Sequence, residues 1–205
     1  MSTYVMIHGA GDTGWYWHLV TPLLRAHGHD VVTPTLPGGP VGLTEYADTV
    51  VEAVGSRTGE FVVVAQSFGG FTAPLVVDRL GASALVFVAG MVPKAGESPD
   101  GWWTGTGYPG PSGDDDLFFH DVPAELAAEA EKRPGAHSTT SFDEPCAPLP
   151  DVPTRYVLGL RDRFFQPSFT RRMVAERLGI EPEEIDAGHC VALARPKELA
   201  ELLLG

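Results

Sequence analysis

Short apolar runs alternate along the chain with longer stretches in which apolar residues recur every three or four positions. The short runs predict strands over residues 4–8, 30–33, 61–66, 84–89 and 154–160, and a short sixth strand is predicted over residues 184–186. The longer stretches predict helices over residues 15–27, 44–57, 68–80, 123–133, 166–178 and 196–204, with Thr44 as the N-cap of the second helix. This alternation predicts an α/β fold with about six mostly parallel strands and with helices on both faces of the sheet.

The alternation stops between the fourth and fifth predicted strands, over residues 93–153. This segment is rich in proline, glycine, serine and aspartate, and contains only the predicted helix over residues 123–133. A connection of this length is typical of a functional lid or a disordered insertion, and its many aromatic residues argue against disorder. We therefore expect a small cap over residues 93–153, inserted into a single domain that spans residues 1–205.

The net charge and composition of the chain disfavour some classes of binding partner. The chain has 205 residues and a formal net charge of −13, which argues against binding to nucleic acid or to an anionic membrane surface. It has no apolar run of membrane-spanning length, and its first residues lead into a strand without a signal-peptide pattern. The two cysteines, Cys146 and Cys190, fit free thiols in a reducing compartment. We expect a cytoplasmic protein, either a monomer or a homodimer.

Ser67 is the first candidate for chemistry. It follows the apolar run over residues 61–65 and Gln66, and two small residues, Ala65 and Gly69, stand two positions to either side of it. Such neighbours allow a tight strand-to-helix turn that lifts a serine hydroxyl out of the sheet toward a substrate. The same position also suits an ordinary helix N-cap, so this segment alone leaves both interpretations open.

A serine nucleophile needs a base, and the base needs an orienting group. Of the seven histidines, His189 lies between the last predicted strand and the last helix, and Asp162 closely follows the fifth strand. Each has an ordinary alternative, as a histidine at a helix start or as a solvated turn aspartate. However, Ser67, Asp162 and His189 all follow strands of one parallel sheet, whose carboxyl ends share an edge. Their order along the chain is also that of a known catalytic arrangement.

Acyl transfer also requires hydrogen-bond donors for the negative charge that develops on the carbonyl oxygen. The backbone N–H of Phe68, next to Ser67, can supply one donor. The loop over residues 8–15 contains three glycines that can turn N–H groups inward, and Ala10 is the best-placed second donor. This loop matches neither of the common glycine-rich phosphate-binding patterns, which disfavours phosphate binding.

The acidic run Asp114-Asp115-Asp116 is the sequence feature that most suggests a metal site. It lacks the pattern of a calcium-binding loop, and His120 is the nearest histidine. We therefore expect a polar loop at this run and no bound metal.

Together these motifs resemble the α/β-hydrolase superfamily, and most closely its compact branch of plant methyl esterases, hydroxynitrile lyases and small bacterial serine hydrolases. The matching segments are His8-Gly9-Ala10-Gly11 through Trp15-Tyr16-Trp17, Ser67-Phe68-Gly69-Gly70, Gly159-Leu160-Arg161-Asp162 and Gly188-His189. The resemblance implies an α/β-hydrolase fold in which Ser67 is the nucleophile, His189 the base and Asp162 its orienting group. It also implies an oxyanion hole formed by Ala10 and Phe68, and a reaction that needs no metal or organic cofactor.

Several positions depart from the pattern of that branch. Ala65 stands where glycine is usual and Gln66 where histidine is common, and both substitutions should preserve the turn. The lyase members typically carry a threonine in the first loop and a lysine directly after the histidine, whereas this chain has Gly9 and Cys190 there. The resemblance therefore favours hydrolysis over lyase chemistry.

The expected substrate is a small ester with an apolar acyl or alkyl part. Six residues of the cap and the sheet edge are candidates to line its pocket: Met91, Trp102, Trp103, Phe118, Phe119 and Cys190. The same residues could instead form only the hydrophobic seam between the cap and the sheet. Three other functions stay open on this scaffold: a lyase or C–C bond hydrolase, a small-molecule-binding protein with a vestigial triad, and a metal hydrolase.

Overall fold

A computed structural model of the protein describes residues 1–113, 116–136, 138 and 142–205. Its strands are β1 (Ser2–Ile7), β2 (Asp30–Val32), β3 (Glu60–Gln66), β4 (Ala84–Val88), β5 (Thr154–Gly159) and β6 (Glu183–Ile185). They form one sheet in the order β2-β1-β3-β4-β5-β6, and every neighbouring pair is parallel. The predicted α/β class and the six parallel strands are confirmed.

The helices that connect and cover these strands are the 3-10 helix Gly14–Trp17, α1 (Thr21–Ala26), α2 (Leu43–Val54), α3 (Gly69–Leu80), α4 (Pro99–Gly105), α5 (Ala124–Glu131), α6 (Pro167–Leu178), α7 (Val191–Ala194) and α8 (Pro196–Leu204). Sequence analysis did not predict α4 or α7. In the part of the chain that the structure describes, no helix is long and apolar enough to cross a membrane.

Two local predictions need correction. The helix predicted over residues 15–27 is divided in two, because Pro22 has no N–H to donate and occupies the first turn of α1. Thr44 is not the N-cap of α2, which begins earlier: Gly42 holds that position, and its N–H donates to the Glu45 carboxylate at 2.8 Å. The Thr44 hydroxyl instead donates to Glu144 at 3.4 Å.

The sheet separates two hydrophobic cores. Because side chains alternate along a strand, β1 directs Val5 and Ile7 into one core and Tyr4 and Met6 into the other. The first core packs the sheet against α2, α3 and α6, and the second packs it against the 3-10 helix, α1, α7 and α8. Strands that are buried on both faces in this way are typical of parallel sheets.

Helices α4 and α5 belong to the long segment between β4 and β5. The α4 end of this segment is anchored by Trp102, whose side chain is fully buried and whose indole N–H donates to the Val92 carbonyl oxygen at 2.9 Å. Nearby, a largely buried ion pair joins Arg177 of α6 to Glu97, with 2.5 Å between Nη1 and Oε2. These contacts attach the segment to the first core, beside the carboxyl edge of the sheet.

Candidate active site

Ser67 occupies the turn between β3 and α3 in a left-handed backbone conformation, with φ of 47°. In the described part of the chain, Ala89 is the only other non-glycine residue with a positive φ. The Ser67 N–H donates to Val88 O at 3.3 Å, and its carbonyl oxygen accepts from the N–H groups of Gly70 and Met91 at 3.1 and 2.9 Å. These hydrogen bonds hold Ser67 in a conformation that costs free energy, and such residues cluster at functional sites.

Close approaches of neighbouring atoms explain the glycines around this turn. A Cβ atom at Gly69 would lie 2.8 Å from the His8 carbonyl oxygen, and one at Gly9 would lie 2.9 Å from the Ser67 Cβ. By contrast, Ala65 fits a methyl group into the first core, where it is fully buried. The turn therefore accepts alanine on its strand side and requires glycine on its helix side.

Ser67, His189 and Asp162 are joined by hydrogen bonds. His189 Nε2 lies 3.1 Å from Ser67 Oγ, and His189 Nδ1 lies 2.9 Å from Asp162 Oδ2. The other carboxylate oxygen, Asp162 Oδ1, accepts from the N–H groups of Phe164 and Phe165 at 2.8 Å each. This chain of contacts can take a proton from the serine hydroxyl and stabilise the resulting imidazolium beside a buried carboxylate.

Aromatic rings surround the imidazole of His189. Phe118, Phe164 and Phe165 meet it edge to face, with ring centroids 5.5, 5.2 and 5.2 Å away. His189 and Asp162 are only 2% and 4% exposed. The rings thus keep water from the His189–Asp162 pair and leave the Nε2 side facing Ser67.

Two backbone N–H groups beside Ser67 are available to a ligand. Ala10 and Phe68 both line the adjacent cavity, and neither N–H has an acceptor among the described residues. The loop that carries Ala10 is held by His8, whose Nδ1–H donates to Gly9 O at 2.8 Å while its Nε2 accepts from the Leu36 N–H at 3.0 Å. Burial lowers the pKa of His8, which favours the neutral ring that this pattern requires.

A cavity of about 350 Å³ opens next to Ser67. Most of its wall is apolar, and five residues that the sequence predicted for the pocket contribute to it: Met91, Trp103, Phe118, Phe119 and Cys190. The prediction for Trp102 is corrected, because its side chain points into the first core and does not line the cavity. Burial raises the pKa of the Cys190 thiol well above its usual value, so Cys190 contributes an apolar, unreactive surface.

Sequence reasoning missed several residues of the wall, among them Asp12, Gln66, Glu131, Pro134, Phe142 and Phe164. Asp12 lies in the glycine-rich loop that also contains Ala10, and Phe164 follows Asp162 by two positions. The sequence therefore offered a reason to expect both residues near the site. Nothing in the sequence pattern distinguishes Phe142. Burial raises the pKa of Asp12 to about 6, an effect that the nearby His189 partly offsets.

No group of three or more potential metal ligands occurs among residues 1–113, 116–136, 138 and 142–205. Asp114 and Asp115 of the acidic run lie outside the described residues. Asp116 stabilises its own loop, because its Oδ1 accepts hydrogen bonds from the N–H groups of Phe118 and Phe119 at 3.1 and 2.8 Å. This contact sets the direction of the two phenylalanines that enter the cavity wall.

A parallel sheet in which a strained serine follows β3, an aspartate follows β5 and a histidine follows β6, all at one edge, defines the class of α/β hydrolases. The chain belongs to the alpha/beta hydrolase family, whose sequence model matches residues 4–202. The predicted family resemblance is therefore confirmed.

Similar proteins include plant and bacterial esterases. Methylesterase 7 of Arabidopsis thaliana is 30% identical over 110 residues, which cover 47% of this chain and 42% of the relative. The carbendazim hydrolyzing esterase of Nocardioides sp. (strain SG-4G) is 30% identical over 110 residues, which cover 48% of this chain and 46% of the relative. Each match thus spans less than half the length of the curated relative.

The fold matches a solved structure over nearly the full length of both chains. The crystal structure of a pyrethroid hydrolase from Sphingobium faniae JZ-2 superposes with a TM-score of 0.81 and covers 99% of this chain and 96% of that one. Sequence identity to it is 21%, so this likeness establishes the shared fold.

Proposed function

We propose that this chain is a serine esterase that cleaves a small, partly apolar carboxylic ester through an acyl-enzyme intermediate. The observation that carries the proposal is the hydrogen-bonded chain from Ser67 through His189 to Asp162, beside a largely apolar cavity of about 350 Å³. That volume lies within the range of small-molecule sites. The names of the similar proteins, a methylesterase and a carbendazim hydrolyzing esterase, support the same reaction class.

In the first half of the reaction, Ser67 Oγ attacks the ester carbonyl carbon while its proton passes to His189 Nε2. The negative charge on the carbonyl oxygen is stabilised by the N–H groups of Ala10 and Phe68. Asp162 stabilises the imidazolium of His189. The imidazolium then protonates the alcohol as it leaves, and the acyl group stays bonded to Ser67.

The second half repeats these roles with water. His189 takes a proton from a water molecule, whose oxygen attacks the acyl carbon of the intermediate. The same N–H groups stabilise the second oxyanion, and His189 returns the proton to Ser67 Oγ as the carboxylic acid is released. Every proton in this cycle moves through His189 Nε2, and the heavy-atom bonds that form and break all involve the acyl carbon, with Ser67 Oγ, the alcohol oxygen or the water oxygen as its partner.

We also propose that residues 93–153 act as a cap that selects the substrate. Four of the aromatic residues in the cavity wall belong to this segment: Trp103, Phe118, Phe119 and Phe142. Because they face Ser67 and the loop of Ala10 across the cavity, the ester must lie between the cap and the carboxyl edge of the sheet. The cap would then set the size of the acyl or alkyl part.

Labelling with a fluorophosphonate probe tests the nucleophile. We expect labelling of the wild-type protein, loss of labelling in Ser67→Ala, and at least about a thousandfold slower labelling in His189→Ala, because removing triad members has effects of that order. Ser168→Ala is the matched control, because Ser168 is exposed on α6 away from the cavity. Circular dichroism must first show that each variant is folded.

Three outcomes would count against the proposal. A folded wild-type protein that takes up no probe would exclude an activated serine, and labelling that survives in Ser67→Ala would assign it to another residue. If Ser67 is labelled but a chain-length series of aryl esters is not hydrolysed, the lyase or C–C bond hydrolase alternative would replace the esterase.

A further inference from the structure

Asp12 places an unpaired carboxylate in the wall of the cavity. It lies in the loop between β1 and the 3-10 helix, where its N–H donates to Gly9 O at 3.4 Å. The cap reaches the same loop through the N–H of Gly135, which donates to Gly11 O at 2.8 Å. Among the described residues, no hydrogen bond or ion pair partners the Asp12 side chain.

The remaining charges around the cavity do not balance Asp12. Of the described residues in the wall, Asp12 and Glu131 are acidic and none is lysine or arginine. The nearest arginine of the cap is engaged elsewhere: Arg133 pairs with Glu129 at 2.6 Å, and its guanidinium lies 5.2 Å from the ring centroid of Trp15. The described residues of the cavity wall therefore carry a net negative charge among largely apolar neighbours.

Withdrawing a carboxylate from water is costly unless a partner is supplied. The raised pKa of Asp12 reflects that cost. A cationic group on a bound ligand would supply the missing partner through a charge-assisted contact. A carboxylate on a ligand would instead be repelled by both Asp12 and Glu131.

We propose that Asp12 is a specificity-determining residue that recognises a cationic nitrogen on the substrate, so that the preferred substrates are small esters bearing an amine. This inference rests on the proposed esterase function of Ser67. Asp12 lies close enough to His189 for their charges to interact, so the cationic nitrogen would bind a short distance from the reacting carbonyl. Esters with a free carboxylate are correspondingly poor substrates.

A matched pair of nitrophenyl esters tests the proposal. One is the ester of trimethylammoniobutyrate, and the other is its uncharged analogue, in which carbon replaces the nitrogen. We expect the wild-type kcat/KM to be at least about tenfold higher for the cationic ester, because contacts to charged groups have effects of that order. Asp12→Asn should lower that ratio by about the same factor. Asp100→Asn is the control, because it changes the net charge equally at an exposed position of α4 and should keep the wild-type ratio.

The outcomes separate this inference from the proposed function. Equal hydrolysis of both esters by the wild type, or a preference that persists in Asp12→Asn, would overturn the role of Asp12. An equal loss of both rates in Asp12→Asn would also overturn it, because Asp12 would then support His189 and not the substrate. If neither ester is cleaved, the esterase proposal fails, and calorimetry with butyltrimethylammonium decides the remaining question. Binding to the wild type but not to Asp12→Asn would support cation recognition, and no binding to either would overturn it.

Discussion

The carboxylate of Asp121 accepts a hydrogen bond of 2.7 Å from the backbone N–H of Gly188, the residue directly before His189. The Asp121 side chain is 3% exposed, and the guanidinium of Arg161 lies 3.8 Å from the same oxygen, Oδ2. Arg161 in turn directly precedes Asp162. One side chain from the segment between β4 and β5 thus contacts the residues next to two members of the proposed triad, so this segment helps to set the distance between His189 and Asp162.

Removing the Asp121 side chain should slow catalysis with little loss of stability. Its other oxygen, Oδ1, is buried without a partner among the described residues, so Asp121→Ala removes an unfavourable group together with one hydrogen bond and the long ion pair with the exposed Arg161. Because a misplacement of about 1 Å can cost about a hundredfold in rate, we expect kcat to fall by at least about tenfold with KM nearly unchanged. Steady-state kinetics of ester hydrolysis, together with urea unfolding, measure both effects.

The conservative variant separates positioning from a general structural role. Asp121→Asn keeps an oxygen that can accept from Gly188, and it should restore most of kcat. A loss of kcat in Asp121→Ala that follows only a loss of folded protein would contradict a positioning role. So would an Asp121→Asn variant as slow as Asp121→Ala.

Alanine substitutions of the two adjacent tryptophans of α4 should have different effects on stability and on catalysis. Trp102 is fully buried in the first core, so Trp102→Ala should lower the free energy of unfolding by about 3–5 kcal/mol. Trp103 lines the cavity, so Trp103→Ala should mainly change KM and the preferred acyl length. Urea unfolding and a chain-length series of esters provide the two measurements. Equal destabilisation by both substitutions would contradict the assignment of Trp103 to the cavity wall.

The triad geometry could be anticipated because it depends on strand order along the chain. Ser67, Asp162 and His189 each follow a strand, and the carboxyl ends of parallel strands share one edge. The strands before Ser67 and Asp162 also contain short apolar runs, a strong signal in a single sequence, whereas the strand before His189 is short and carries two glutamates. The topology alone therefore predicts that the three side chains lie close together.

The cavity wall could not be anticipated, because it depends on which side of each cap element faces inward. Trp102 and Trp103 are neighbours in an unpredicted helix, and only their packing against α6 and Phe164 distinguishes them. Phe142 meets Phe68 at a centroid distance of 5.3 Å, although the two lie far apart along the chain. Such contacts depend on loop paths that leave no periodic signal in the sequence.

The backbone conformation of Ser67 predicts a stability cost at the proposed nucleophile. Its φ of 47° lies in the left-handed region, which glycine adopts without the steric penalty of a Cβ atom. We therefore expect Ser67→Gly to be more stable than Ser67→Ala by about 1 kcal/mol, after allowing for the greater freedom of glycine in the unfolded chain. Both variants lack the hydroxyl, so the comparison isolates the backbone effect. Urea unfolding measures it, and a less stable Ser67→Gly would argue against strain at this turn.

The partly buried carboxylate of Asp12 should make stability depend on pH. Burial raises its pKa to about 6 from the 3.8 of an unperturbed aspartate, so between these values the folded protein binds more protons than the unfolded chain. The contribution of Asp12 to the free energy of unfolding therefore falls as the pH rises through this window, by up to about 3 kcal/mol. Asp12→Asn cannot ionise, so its free energy of unfolding does not fall in this way. The variant should therefore be more stable than the wild type at pH values well above about 6, and the difference should disappear near a pH of about 4. Urea unfolding at the two pH values, with Asp100→Asn as the exposed control, measures the difference. A stability gain of the same size at both pH values would contradict a raised pKa for Asp12.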